Sequence, residues 1–149
     1  SPVRSVVRFN LHNMNNTIFL LARIIMMAIF VRSGINHLTK EAIVGYAQFK
    51  KIPNAQLAVR LSGVLYLAGS VGIIFGVWGD LAALLTALLL LIVTITMHNF
   101  WTLEDAAAKA TDQLMFMKNV SMIGGLLGLA WAFSNGGGIT LTDAIWPAG

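Results

Sequence analysis

The chain of 149 residues contains no cysteine. That excludes disulfides, thiolate catalysis, iron–sulfur ligation and covalent haem attachment through Cys. Charge is scarce as well: 11% of residues are charged, against about 25% in an ordinary soluble domain. Six residues are acidic and ten are Lys or Arg, and no acid occurs between Glu41 and Asp80. The basic residues are scattered along the chain. A nucleic-acid partner would want a soluble basic patch, and none is visible. There is no nucleotide-binding fingerprint, and no His-x-x-His or Glu-x-x-His pair lies on a hydrophobic segment, so neither a resident metal nor another intrinsic cofactor is expected. Residues 1–16 lack the apolar run of a cleavable signal peptide.

What the chain has in excess is hydrocarbon. It is 57% hydrophobic without counting glycine, and a soluble core of this length could not hide that much apolar surface. A lipid bilayer is the expected solvent. A spanning helix needs about 20 mostly apolar residues, and four segments qualify: 17–37, 55–78, 80–101 and 113–133. The expected fold is therefore all-α, a transmembrane antiparallel four-helix bundle forming one membrane domain over residues 1–149. Segments 1–16, 39–52 and 102–112 are expected at the interface.

The connections differ in kind. Trp78, Gly79 and Asp80 join spans two and three almost directly, as an antiparallel hairpin. In "TKEAIVGYAQFKKIPN", residues Ile43, Tyr46, Ala47 and Phe49 fall near one helical face and Pro53 ends the run. This reads as a short helix with its aromatics at headgroup depth. "TLEDAAAKATDQL" starts with Thr102 and has Asp105 three residues on, a capping-box pattern opening another short helix. The loops carry Lys40, Lys50, Lys51, Arg60 and Lys109, whereas the side with both termini carries Arg4 and Arg8. This balance favours cytoplasmic loops and non-cytoplasmic termini, in a bacterial inner membrane or its equivalent.

Helical spacing sorts the polar residues onto faces. In span one, Arg23, Met27, Phe30, Gly34 and His37 recur at steps of four and three. In span two, Ser62, Tyr66, Gly69, Ile73 and Gly76 form a stripe, with Gly72 and Gly76 four apart. In span four, Lys118, Ser121, Gly125 and Gly128 form another, with Gly124 and Gly128 four apart. Glycines so spaced let helix backbones approach closely. The antiparallel arrangement puts His37, His98, Asn99, Trp101, Lys118 and Asn119 at one membrane face, joined there by Arg32 and Arg60. Arg23 lies deeper, toward the opposite half. Ionisable groups within spans cost roughly 2.5–3.5 kcal/mol at the bilayer centre and usually face a partner inside the bundle. Arg23, His37, His98, Trp101, Lys118 and Asn119 are therefore the candidate site for a ligand, a quinone or a partner.

These residues also carry a likeness. Arg23 early in span one, "F-x-x-S-G-x-x-H" from Phe30 to His37, Pro53 before span two, "HNFW" from His98 to Trp101, and "FMKNVSMIGGLLG" at 116–128 occur in an order that resembles the DoxX family of small four-span membrane proteins. The resemblance covers roughly residues 20–132. The family includes the membrane subunit of archaeal thiosulfate:quinone oxidoreductases. In one respect the chain departs from it: many relatives carry a Glu in span two near the position of Tyr66. Arg23 must instead find carbonyls, the Tyr66 hydroxyl, lipid phosphate or a partner chain.

Three functional readings follow. The first is an accessory or structural subunit of a larger membrane complex, respiratory or otherwise energy-converting, packed against other subunits or copies of itself. The second, implied by the resemblance, is a quinone-linked oxidoreductase membrane subunit with its polar site at one membrane face. Electrons would then come through another subunit or directly from substrate, so the chain is not expected to be a complete enzyme alone. The third is a small transporter or cargo receptor.

Overall fold

The computed structural model describes residues 2–149. Five α-helices follow one another along the chain: α1 (Pro2–Thr39), α2 (Glu41–Phe49), α3 (Ala55–Phe75), α4 (Gly79–Met97) and α5 (Ala106–Ser134), with a 3-10 turn at Phe100–Thr102. Four segments are long and apolar enough to cross a bilayer: Leu11–Thr39, Ala55–Phe75, Gly79–Thr102 and Ala106–Ser134. The protein is an integral membrane protein.

Two interfacial segments turn out to be continuous with spans. Helix α1 has 38 residues, about 57 Å at the usual rise, so residues 2–16 continue the helix of the first span. Nothing between Pro2 and Ser33 breaks the helix. Its asparagine-rich turn is bridged by side chains, with Thr17 donating to the Asn13 carbonyl at 3.0 Å and Asn16 meeting His12 at 3.2 Å. The expected helix at 102–112 likewise merges into α5. Its cap is Asp105, which accepts from the Ala108 N–H at 2.8 Å, while Thr102 instead donates to the Asn99 carbonyl at 2.8 Å. Helix α2 is the separate interfacial helix that the pattern implies. It buries Val44 and Ala47 against Ala55 and Val59, and Phe49 points away, 66% exposed.

Packing runs in sequence: α1 lies on α3, α3 on α4 and α4 on α5, while α1 and α5 touch lightly. The span-one stripe faces inward, with Arg23, Met27 and Phe30 all buried. Its Gly34 crosses Gly63 of α3 so closely that a Cβ on either would lie 2.9 Å from the other's carbonyl oxygen. Along α3, a Cβ at Gly69 would collide with the Thr86 hydroxyl, and one at Gly72 would come within 2.8 Å of the Ala82 side chain. These two glycines set the approach of α4, as their spacing suggests. Gly76 serves differently, since with φ of 66° it is the left-handed cap that stops α3. Met27, Phe30, Tyr66, Ile73, Leu90, Leu126 and Phe133 fill the core.

The last residues close the end of the bundle remote from α2. Leu141 and Thr142 donate to the carbonyls of Phe75 and Gly76, each at 3.1 Å. Asp80, buried at the start of α4, accepts from the backbone of Ile145 at 2.9 Å and Trp146 at 2.7 Å. Arg23 donates to the Ile139 carbonyl at 2.8 Å and sits 5.0 Å from the Phe19 ring and 5.3 Å from the Phe133 ring. Of the acceptors open to it, then, Arg23 takes a carbonyl and two aromatic faces; its Nε and Nη1 have no hydrogen-bond partner among the described residues.

Candidate functional site

The chemistry of this chain gathers at the opposite end, beneath α2. Helix α2 crosses the mouth formed by the start of α3 and the end of α4, and its buried Val44 and Ala47 hold it there. Between the three helices lies a cavity of about 640 Å³. Its walls are mainly apolar, including Ile43, Ala47, Val59, Leu89 and Val93, and they also carry His37, Tyr46, Ser62 and His98.

Each of the two histidines has one ring nitrogen committed. Ser62 donates its single hydroxyl proton to the Val59 carbonyl at 2.8 Å. Its oxygen must therefore accept the 2.8 Å bond from His37 Nδ1. His98 Nδ1 lies 3.2 Å from Asp112 Oδ1, which fixes its proton on Nδ1 in the same way. In both rings Nε2 is left without a partner among the described residues. An uncommitted Nε2 on a neutral ring accepts a hydrogen bond. On His98, with a carboxylate behind it, Nε2 can also carry a proton and donate.

Asp112 is the hub of the polar network. It accepts from the Tyr46 hydroxyl at 2.9 and 3.0 Å and from Lys50 Nζ at 2.8 Å. Lys50 also donates to Asn99 Oδ1 at 2.7 Å. The Lys50 and Asp112 side chains are 3% and 8% exposed, so this is a buried ion pair. Burial, and then the adjoining Asp112 carboxylate, push the Tyr46 phenol up to about 12. Tyr46 therefore keeps its proton, as a donor, through the neutral range. Nearby, Arg60 donates to the His37 carbonyl at 2.7 Å and pairs with Glu41, tying α3 to the end of α1.

Of the six candidate residues, the fold brings His37 and His98 to one cavity. Trp101 is 52% exposed and packs edge-on with Phe100 and Phe116. Lys118 is exposed, its Nζ 3.5 Å from the Met115 sulfur. Asn119 is buried in α5 at 5% exposure but does not line the cavity. Arg23 is at the far end. Lys118, Ser121, Gly124, Gly125 and Gly128 do share a stripe, yet it faces outward. A Cβ at Gly125 would lie 2.8 Å from the Met26 methyl, whereas one at Gly124 or Gly128 would have no atom of the described residues within 4 Å. The tight packing expected at those two is absent within the chain, because α5 turns Asn119, Leu126, Leu129 and Phe133 inward instead.

Tyr46, Lys50 and Asp112 escape a reading of the sequence by segments, because all three lie in segments expected at the interface; Asn99 is expected at this face, without its partner. A signal was present: with six acids in the chain, one placed at the entrance to a span calls for a cation across the bundle.

A second apolar hollow, about 540 Å³, runs along the outer side of the α3–α4 pair from Trp78 toward Ile92. Leu65, Leu89 and Ile92 line both hollows.

A family model described as DoxX matches residues 18–99, more than half of the chain. The match takes in Arg23, His37, Tyr46, Lys50 and His98 and stops short of the fourth span with "FMKNVSMIGGLLG". No curated protein and no solved structure matches.

Proposed function

The chain belongs to the DoxX family, and from that premise we propose that it is the membrane subunit of a redox assembly that holds the head of a quinone under α2. One observation carries this reading: two histidines on a single apolar cavity, each with Nδ1 engaged and Nε2 free. A quinone head has two oxygens on opposite sides of a flat apolar ring. His98 Nε2, its ring steadied by Asp112, and His37 Nε2 are acceptors that suit the two hydroxyls of the reduced form. Reduction to the quinol consumes two electrons and two protons. In this reading a redox centre on a partner subunit supplies the electrons, and the protons arrive from water through His98 and the Tyr46–Lys50–Asp112 network. The excess of basic residues in the loops favours a cytoplasmic side for this face.

The test is quinone binding to the protein in lipid nanodiscs. His98→Phe removes a hydrogen bond worth about 0.5–1.5 kcal/mol and should weaken binding roughly 2- to 10-fold. Wild-type protein that binds no quinone, or a His98→Phe variant that binds equally well, would reject the proposal.

A second reading, a purely structural subunit, is favoured by the uncovered stripe on α5. Gly124 and Gly128 are four apart, have no protein atom near, and match the spacing at which spanning helices pair. Gly124→Leu would then release a neighbouring subunit or a second copy without loss of quinone. Intact assembly in that variant would remove this reading.

A further inference from the structure

The two hollows adjoin, with Leu65, Leu89 and Ile92 lining both, and end to end they would form one furrow. The furrow follows α4 from Trp78, at the hairpin, to His98 under α2. Helix α4 has 19 residues, about 28 Å, close to the roughly 30 Å hydrocarbon thickness of a bilayer. Small residues make it. Gly69 and Gly72, which line it, draw α3 and α4 together. On the lipid side Ala68 and Ala82 leave the floor low, while Leu85 and Leu88 stand as walls. The polar Thr86 spends its hydroxyl proton on the Ala82 carbonyl at 2.7 Å, so it offers no donor to a ligand.

The charge at the polar end selects among lipids. No Lys or Arg lines the cavity. Lys50 is engaged by Asp112 and Asn99, and Arg60 by Glu41 and the His37 carbonyl. A phosphate or carboxylate head would find no Lys or Arg in this wall. A neutral head able to bond to imidazole nitrogens fits, provided its tail is hydrocarbon.

We infer that the furrow between α3 and α4 seats the long hydrocarbon tail of a neutral quinone, head at His37 and His98, tail running toward Trp78. This rests on the quinone reading and adds the tail and its path. The protein would then take long-tailed quinones from the membrane pool along the outer face of one helix pair.

The experiment uses the full chain in nanodiscs and two photoreactive prenylquinones, one with a diazirine at the tail end and one with it on the ring. The ring probe is expected to label residues around His37, Tyr46 and His98. The tail probe is expected to label the Gly72–Leu85 stretch of α3 and α4, and an excess of unlabelled long-tailed quinone should suppress both. Ala68→Trp and Leu85→Trp fill the furrow from its lipid-facing side. Either should abolish tail labelling there and weaken ring labelling, while thermal stability stays as in wild type. Tail adducts spread evenly over all lipid-facing helices, with ring labelling still in the cavity, would overturn the tail path and leave the head site standing. A diazirine phospholipid that concentrates in the furrow, undisplaced by quinone, would overturn it too. No ring labelling in the cavity would dispose of the head site itself.

Discussion

Asp112→Ala isolates the energetic centre of this bundle. The substitution removes the carboxylate that pairs with Lys50 at 2.8 Å and accepts from Tyr46 and His98. Lys50, with its side chain 3% exposed, keeps the Asn99 amide oxygen and the Tyr46 ring, 5.4 Å away, but has no counter-charge. Removing one partner of a buried pair costs about 3–5 kcal/mol, because the survivor remains buried and uncompensated. Replacing both partners by apolar residues of similar size is often neutral. Lys50→Met combined with Asp112→Leu should therefore lie within about 1 kcal/mol of wild type. The two sites should show a coupling of at least about 2 kcal/mol in a double-mutant cycle. Reversible unfolding in mixed micelles, followed by helical circular dichroism, measures wild type, Asp112→Ala and the Lys50→Met, Asp112→Leu and double variants of the cycle. An Asp112→Ala variant that loses less than about 1 kcal/mol, or a double variant whose losses simply add, would refute a buried pair.

Other outcomes can be checked separately. Tyr46 should hold its proton to about 12. In a Tyr66→Phe background it is the sole remaining tyrosine, and tyrosinate absorbance should first appear well above pH 10, moving back toward 10 when Asp112→Asn is added; onset near 10 in the parent would contradict the burial of this hydroxyl. The sign for stability follows: the folded state holds this proton more tightly, so the contribution is complete below about pH 10 and is lost as pH rises toward 12. Gly63→Leu should prevent the α1–α3 crossing, since a Cβ there already lies 2.9 Å from the Gly34 carbonyl oxygen, while Gly128→Leu should change the stability of the isolated chain by no more than about 0.5 kcal/mol. Equal effects from the two would show that the crossing is misplaced. Asp80→Ala should expose the Ile145 and Trp146 amides to rapid hydrogen exchange while the α2 end stays protected; unchanged exchange would mean that the carboxylate does not hold the C-terminal segment.

The span-one face was legible because a helix in lipid hides its polar residues, and the Arg23–His37 stripe lies inward as its period requires. The hairpin at Trp78–Asp80 and the isolated helix α2 were legible for similar reasons: a short connection and a proline leave few alternatives. Span four misled, since small residues suit either a neighbouring helix of the same chain or a surface beyond it, and spacing alone does not say which. The starts of α1 and α5 were also misjudged: polar composition marks where lipid ends, and a helix need not end there. The candidate site was half visible. His37 and His98 stand out as titratable groups at span ends, but Asp112, Tyr46 and Lys50 acquire meaning through a contact between segments 62 and 66 positions apart.

The bond between Arg23 and the Ile139 carbonyl joins residues 116 positions apart. At roughly 5–20 residues per second, synthesis places the arginine on the order of ten seconds before its acceptor exists. Through that interval the guanidinium must be held by lipid headgroups, by water or by the insertion machinery. The segment that finally receives it follows α5, so the bundle's remote end is sealed only after all four spans have been made. Maturation then depends on when the residues after α5 fold back onto the start of α4.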